Sequence, residues 1–372
     1  MKITCDRRVF AAAYQTVAAF APTRSPKEIL TNVLVTASDS SIKLSATDME
    51  VGFCTEIKEG IEVSEGGSVL LPVVRTAGIV RESNDEQLKI ENQDGTAIIK
   101  GDRSNFRLPT ANPEEFPGVR PFESRAYHII ESEALRTAIG RTVRFTENDS
   151  ARYALGAVLV QMEGEDINVV GTDGRRLGHM AITGESVQSH QTSGFSTLIP
   201  TKSAVLIQRV LSHEEGPVYF AAHPSDVQIK MGNGVLYTRL VEGRFPNWRQ
   251  VIPNKDNSEE CQVTAGVLAS AVRQAAITTD QESRALDIQF ADRSICLEAT
   301  AADVGSSRVE VPVEYDGSKI EVNLDHRYVA DFCKSVDPED VLKIELHPSH
   351  SPVVFRTDDR YECVIMPMSR DS

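Results

Sequence analysis

Three times along the chain, a helix-period pattern gives way to alternation of period two, and the order of elements is the same each time. The apolar sets Phe10, Ala13, Tyr14 and Val17, then Leu135, Ala138 and Ile139, then Leu268, Ala271, Val272 and Ala275 recur at i, i+3 and i+4. That spacing predicts one apolar face on an amphipathic helix near the start of each third. Asp6, Ser132 and Thr264 stand just ahead of these sets as candidate N-caps. Each helix is followed by a predicted hairpin: NVLVTASDSSIKLSATD, AVLVQMEGEDINVVGTD and DIQFADRSICLEATAAD. A second helix follows in LLPVVRTAGIV, LIPTKSAVLIQRVL and VNLDHRYVADFCKSV, with Pro72 and Pro200 where a missing N–H costs little. A closing pair of strands then completes each third.

This is an internal repeat with a period near 128 residues. Asp48 and Asp173 fall at equivalent points 125 residues apart, and the exits EEFPGVRPF and GRFPNWRQVIP match as well. The expected architecture is α+β: three repeated domains, 1–124, 125–253 and 254–372, each with two helices packed on antiparallel sheet.

Composition adds limits. With 41% hydrophobic and 25% charged residues the chain is a folded one. Its apolar runs are too short to span a bilayer and MKITCDRRVF lacks an apolar signal region, so a cytoplasmic location is expected. Cys5, Cys54, Cys261, Cys296, Cys333 and Cys363 show no metal or redox spacing and are expected as buried free thiols. The net charge of −15 argues against nucleic acid only on average. The predicted helix windows 6–19, 72–83, 131–145, 200–212, 264–277 and 325–336 hold twelve basic and six acidic residues, so they carry +6 and the remainder −21. A basic helical surface within an acidic shell suits phosphate-backbone binding without base readout, although helices also carry solvated Lys and Arg for no such purpose.

One motif stays ambiguous on its own terms. GTDGRRLG, residues 171–178, could cradle a phosphate, ligate a metal or simply turn a hairpin. Together with LVEGRFPNWRQVIP and VIMPM, in their order and spacing across the three repeats, it resembles the bacterial sliding clamps, the β subunits of the replicative DNA polymerase III. The resemblance runs from MKITCDRRVF to VIMPMSR. It implies a DNA clamp fold: a head-to-tail homodimer closed into a ring, helices lining the hole, duplex DNA threaded through without sequence specificity. It also implies processivity for the polymerase with no catalysis and no cofactor or metal.

By that resemblance GTDGRRLG borders a pocket for short linear motifs of the polymerase catalytic subunit, the clamp loader, other polymerases and repair proteins. The matching positions begin with Arg152, Leu155, Thr172, Gly174, Arg175, Arg176 and Leu177. Pro246 and Val251 follow from the exit, Asn323 and Tyr328 from the third repeat, and Val364, Ile365, Met366, Pro367 and Met368 from the end of the chain. Apolar walls with an adaptable Met would bury a Leu or Phe anchor, and arginines would hold its polar end. Arg175 stands where His is common in the family, Ala154 where an aromatic is frequent, and Gln250 where Arg is common. For DNA the resemblance points to Arg24 and Arg152, with Arg75, Arg141 and Lys202 as pore-lining candidates and Asp149 beside Arg152. The subunit interface would join Lys100, Arg103, Phe106, Arg107 and Leu108 to Ile277, Glu298 and Asp303, with Ser306 and Ser307 thinning the acidic side.

Two rivals remain. Asp48, Asp173 and Asp303 could be read as a metal-binding carboxylate set, but equivalent positions in successive repeats cannot converge on one ion, and the TD pairs suit turns. The eight histidines show no ligand spacing, and no nucleophile elbow or P-loop occurs. A monomeric interaction scaffold that never encircles DNA is the other alternative.

Overall fold

The structure, a computed structural model, describes residues 1–93, 95–147, 153–255, 258–280, 282–347 and 351–368. The first repeat runs β1 (Lys2–Asp6), α1 (Arg7–Ala18), β2 (Asn32–Ser38), β3 (Ser41–Thr47), β4 (Val51–Ile57), β5 (Ile61–Glu65), β6 (Gly67–Pro72), α2 (Val73–Glu82), β7 (Gln87–Gln93), β8 (Thr96–Lys100) and β9 (Asn105–Pro109). The second runs β10 (Tyr127–Glu131), α3 (Ser132–Thr142), β11 (Ala157–Glu163), β12 (Asp166–Thr172), β13 (Arg176–Thr183), β14 (Glu185–Val187), β15 (Leu198–Pro200), α4 (Thr201–Leu211), β16 (Pro217–Ala222), β17 (Asp226–Met231) and β18 (Gly234–Arg239). The third runs β19 (Glu259–Thr264), α5 (Ala265–Ala275), β20 (Ala285–Ala291), β21 (Ser294–Ala301), β22 (Gly305–Pro312), β23 (Ile320–Asp325), α6 (His326–Cys333), β24 (Val341–Leu346), β25 (Val353–Arg356) and β26 (Tyr361–Ile365).

The predicted helices form within a few residues of their windows. Asp6 caps α1 by accepting from the Arg8 and Val9 N–H groups at 2.7 and 3.1 Å. The other two candidate caps act differently. Ser132 opens α3 and its hydroxyl donates to the Glu214 carbonyl, while Thr264 makes no side-chain cap. All six cysteines are free and buried.

Every repeat contributes two half-sheets, and half-sheets of successive repeats merge. The order β14-β10-β16-β17-β18-β4-β3-β2-β6 joins the second repeat to the first through β18 and β4; β15-β11-β12-β13-β26-β25-β24-β19 joins the second to the third through β13 and β26. Two half-sheets stand alone: β5-β1-β7-β8-β9 from the first repeat and β22-β21-β20-β23 from the third. The middle repeat is therefore divided between two compact units. One comprises Met1–Glu133, Gly184–Gln191 and Leu206–Leu240, the other Ala134–Thr183, Thr192–Val205 and Val241–Ser372.

In the first unit Phe10, Tyr14 and Val17 of α1 are fully buried over its strands. In the second, Phe332 of α6 packs its ring 5.4 Å from Phe355 and 5.3 Å from Tyr361. The opposite face of the eight-stranded sheet carries a smaller core of Leu159, Val170, Leu177, Val354 and Val364. Phe245 and Trp248 of the exit segment cover it.

Candidate functional site: a pocket beside the GTDGRRLG turn

The motif is first of all a turn. Asp173 Oδ1 accepts from the N–H groups of Arg175 and Arg176 at 2.9 and 3.0 Å, and the Thr172 hydroxyl donates to the Arg176 carbonyl at 2.7 Å. Asp48 makes the same turn with Glu50 and Val51, so both acids serve the local chain. Gly174 occupies φ +87° at the corner, and a Cβ on Gly178 would lie 2.4 Å from the Phe145 ring. Among the described residues no group of His, Cys, Asp or Glu could hold a metal.

The turn forms one wall of a pocket of about 480 Å³. Of the expected residues, Thr172, Gly174, Arg175, Arg176, Leu177, Pro246, Val251 and Met366 line it; Gln250, Pro253 and Pro352 complete it. Pro352 gave no signal in the sequence, because the pairing of β25 with β26 brings it there.

The other expected residues lie behind or beside the cavity. Leu155 is buried, with Cδ1 4.0 Å from where a Gly174 Cβ would be. Val364 is buried in the small core beneath, and Ile365, next along the strand, points to the other face of the sheet and is buried there, so it is no pocket wall. Asn323 and Tyr328 do not line it either. The Asn323 carbonyl accepts from Met368 N–H at 2.8 Å and fixes the course of Pro367 and Met368, while the Tyr328 ring lies 4.4 Å beneath the Arg176 guanidinium. Arg152 and Asp149 lie outside the described residues.

The two arginines have opposite environments. Arg176 donates from Nε to Asp173 (2.9 Å), from Nη1 to Asp331 (2.8 Å) and from Nη2 to the Arg144 carbonyl (3.1 Å). Burial alone would lower its pKa, but these two carboxylates raise it above the usual value. Arg175 is exposed, and its carbonyl accepts from Met366 N–H at 2.9 Å.

The wall carrying Gln250 and Val251 is held by Trp248. Its indole N–H donates to Gln161 at 2.9 Å, Arg249 caps one face at 4.4 Å, and the His179 ring lies 4.4 Å from it. His179 Nδ1 is 2.7 Å from Glu362 Oε1, and Nε2 is 2.9 Å from the Asn168 amide. Burial, with Arg249 and Arg356 nearby, pushes the imidazole down to about 4. A depressed histidine contributes stability that is complete above the unfolded value near 6.5 and is lost as pH falls toward about 4. Unfolding midpoints are expected to drop between pH 6.5 and 4.5, and less steeply in His179→Gln. An unchanged slope in that variant would rule His179 out as the cause.

The expected DNA and interface residues divide likewise. Arg24 and Arg75 line one pocket of about 630 Å³ with Asn32 and Thr110, and Lys202 is exposed on α4. Arg141 is 12% exposed, bonds Asp359 at 2.5 Å and the Ser335 carbonyl at 3.2 Å, and stacks on Tyr361. Arg81, Arg327 and Lys334 pair with Glu82, Asp325 and Asp331, acids already counted in the helical net of +6.

On β9, Phe106 is 37% exposed and Leu108 buried at a groove of about 930 Å³ that includes Val74, Ile79 and Arg103; Arg107 is exposed. Lys100 pairs with Glu91, which also pairs with Lys2, and Glu298 pairs with Arg308. Ile277 is 75% exposed, and Asp303 is exposed in the turn before β22.

Comparison with known proteins identifies this arrangement. Three consecutive models cover nearly the whole chain: the DNA polymerase III beta subunit N-terminal domain at residues 1–120, its central domain at 129–247 and its C-terminal domain at 249–369. The chain belongs to the DNA polymerase III beta subunit family. Curated relatives in this family include the beta sliding clamp of Chlamydia muridarum, 27% identical over 369 residues and covering 99% of both chains. That of Haemophilus influenzae is 25% identical over 371 residues, 99% of this chain and 100% of its own. The DNA polymerase III subunit beta of Pseudomonas aeruginosa superposes with a TM-score of 0.90 at 23% identity, covering 99% of this chain and 100% of its own. A griselimycin-bound sliding clamp from that organism gives 0.92 at 24%, covering 99% of each chain. These structures share the fold of three repeated α+β clamp domains. No helix among the described residues is long and apolar enough to cross a membrane.

Proposed function

We propose that this DNA sliding clamp works as a head-to-tail ring of two copies, each with domains 1–124, 125–253 and 254–372. The ring encircles duplex DNA without sequence preference and tethers the replicative polymerase, the clamp loader and other DNA-processing proteins through the pocket beside GTDGRRLG. The role is tethering rather than catalysis, and its place is the cytoplasm.

The observation that carries this reading is the pair of unmatched half-sheets. Twice within the chain the strand after the hairpin of one repeat (β4, β13) pairs with the last strand of another (β18, β26). The same rule leaves β9 and β22 at open edges. Pairing β9 of one copy with β22 of the next would join five strands to four, reproducing the nine-stranded sheet already present at the first junction. Unpaired edges are a liability that such pairing removes. The monomeric scaffold would leave both edges open, and no observation favours it. Mass measured across a dilution series tests the proposal: twice 40.8 kDa supports it, and a monomer throughout overturns it.

The DNA reading has its own test. Arg24→Ala with Arg75→Ala is expected to lower the slope of log affinity against log salt by about 1.8, near 0.9 for each phosphate no longer neutralised. Arg141→Ala should weaken folding and leave that slope alone. Equal slopes in the double variant and the parent would remove Arg24 and Arg75 from the DNA surface.

A further inference from the structure

The sulfur groups of this chain divide by exposure. All six cysteines are buried, and burial pushes the Cys5 and Cys333 thiols up to about 12 and that of Cys261 up to about 11. Cys54, Cys296 and Cys363 move in the same direction for the same cause. A peroxide reacts with the thiolate, so these six groups are poor targets for it. A thioether needs no deprotonation, and its oxidation is governed by access. Met162, Met180 and Met231 are buried, whereas Met49 is 42% and Met366 41% exposed. Their settings differ. Met49 is the corner residue of the first repeat's TD turn, at φ +81°. Met366 follows β26 and forms part of the cavity wall with Leu177, Pro246, Val251, Pro253 and Pro352. Its N–H donates to the Arg175 carbonyl at 2.9 Å, which fixes the backbone that carries the side chain to the cavity.

We propose that Met366 is a modification site, at which a two-electron oxidant of the peroxide class converts the thioether to its sulfoxide and reversibly weakens the pocket's hold on partners. This rests on the pocket being the peptide site of the function proposed above. The step needs no further reactant. A sulfur lone pair attacks one peroxide oxygen, the O–O bond breaks, and the departing hydroxide takes the proton of the transferred oxygen and leaves as water. Sulfur gives up two electrons and the peroxide gains them. The product replaces a flexible apolar side chain with a strong S=O dipole. Set into that wall, the dipole either keeps its water and holds an apolar anchor away, or loses it against a group that returns no hydrogen bond. Reduction of the sulfoxide at the expense of a thiol restores the wall. The opening that admits an anchor also admits the oxidant, and a seated peptide covers the thioether, so the unoccupied pocket is the form that oxidises.

The test treats the full chain with hydrogen peroxide, locates the added oxygen by mass spectrometry of its fragments, and follows binding of acetylated Ala-Asn-Leu-Phe amide by ligand-observed NMR titration. Met49 and Met366 are expected to gain oxygen well ahead of Met162, Met180 and Met231, and the peptide dissociation constant to rise roughly tenfold once Met366 is converted. Methionine sulfoxide reductases acting on both epimers, with dithiothreitol, should return the affinity. Met49→Leu should lose affinity on treatment as the parent does. Met366→Leu, whatever its own starting affinity, should bind equally before and after peroxide. The inference is overturned if Met366 stays unoxidised while Met49 reacts, if its sulfoxide leaves the affinity unchanged, or if Met366→Leu loses affinity on treatment as the parent does. Where that variant binds too weakly to compare, recovery by the reductases decides in its place: affinity that does not return as the Met366 sulfoxide disappears from the fragments counts against the inference. Val251→Asp in the cavity wall separates the two levels: if no peptide binds the untreated parent, or if binding is unaffected by that variant, the peptide-site reading itself fails.

Discussion

Replacing Arg176 with alanine is expected to cost the fold roughly 3 kcal/mol, at the low end for breaking a buried ion pair. The side chain is 10% exposed and each of its nitrogen groups has a partner: Asp173, Asp331 and the Arg144 carbonyl. Its removal leaves two carboxylates, one on the turn and one on α6, facing a space that held their shared cation. It also uncovers the Tyr328 and Phe145 rings on which the guanidinium lies at 4.4 and 5.3 Å. Because the same turn forms a wall of the pocket, peptide affinity should fall with stability. Arg175→Ala is the matched control. It is exposed, and should shift the denaturation midpoint by no more than surface substitutions do, about 0.5 kcal/mol. Urea midpoints of the two variants decide the matter, and indistinguishable values would contradict the assignment of Arg176 as the brace of this corner.

The second large effect concerns assembly. Ile277→Asp is expected to convert the dimer to monomer at micromolar concentration without lowering the stability of the single chain. Ile277 is exposed in the monomer, so the substitution removes nothing from the folded core. In the proposed dimer it would enter the groove of Phe106, Leu108 and Val74. Losing that burial costs roughly 2–3 kcal/mol, and an unpaired carboxylate placed against apolar walls costs more. A rise in the dimer dissociation constant of at least roughly a hundredfold follows. Sedimentation should show 40.8 kDa where the parent shows twice that mass, and retention on circular DNA should be lost. A variant that stays dimeric would place the interface elsewhere.

Much of this was legible along the chain because the deciding interactions are local. The helix faces of Phe10 and Tyr14, of Leu135 and Ile139, and of Leu268 and Val272 follow from a period of 3.6 residues, and those side chains are buried as the spacing required. The TD turns are equally local, since Asp48 and Asp173 bond to N–H groups two and three residues on. The repeat itself, and with it the family resemblance, is a property of order and spacing.

Tertiary structure decided what depends on distant partners. No pattern near residue 141 shows that Arg141 meets Asp359, 218 residues away. Arg175 and Arg176 are adjacent and identical in type, yet Asp331, brought up on α6, neutralises only the second. Ile365 read as a pocket wall because it neighbours Met366, but strand alternation turned it to the opposite face. Above all, the sequence by itself determined the elements and their threefold repetition, through periodicities spanning a few residues. Which half-sheets merge, which edges stay open and which charges remain unbalanced were settled only when strands nearly two hundred residues apart paired, because hydrogen-bond partners and counter-ions are chosen in space.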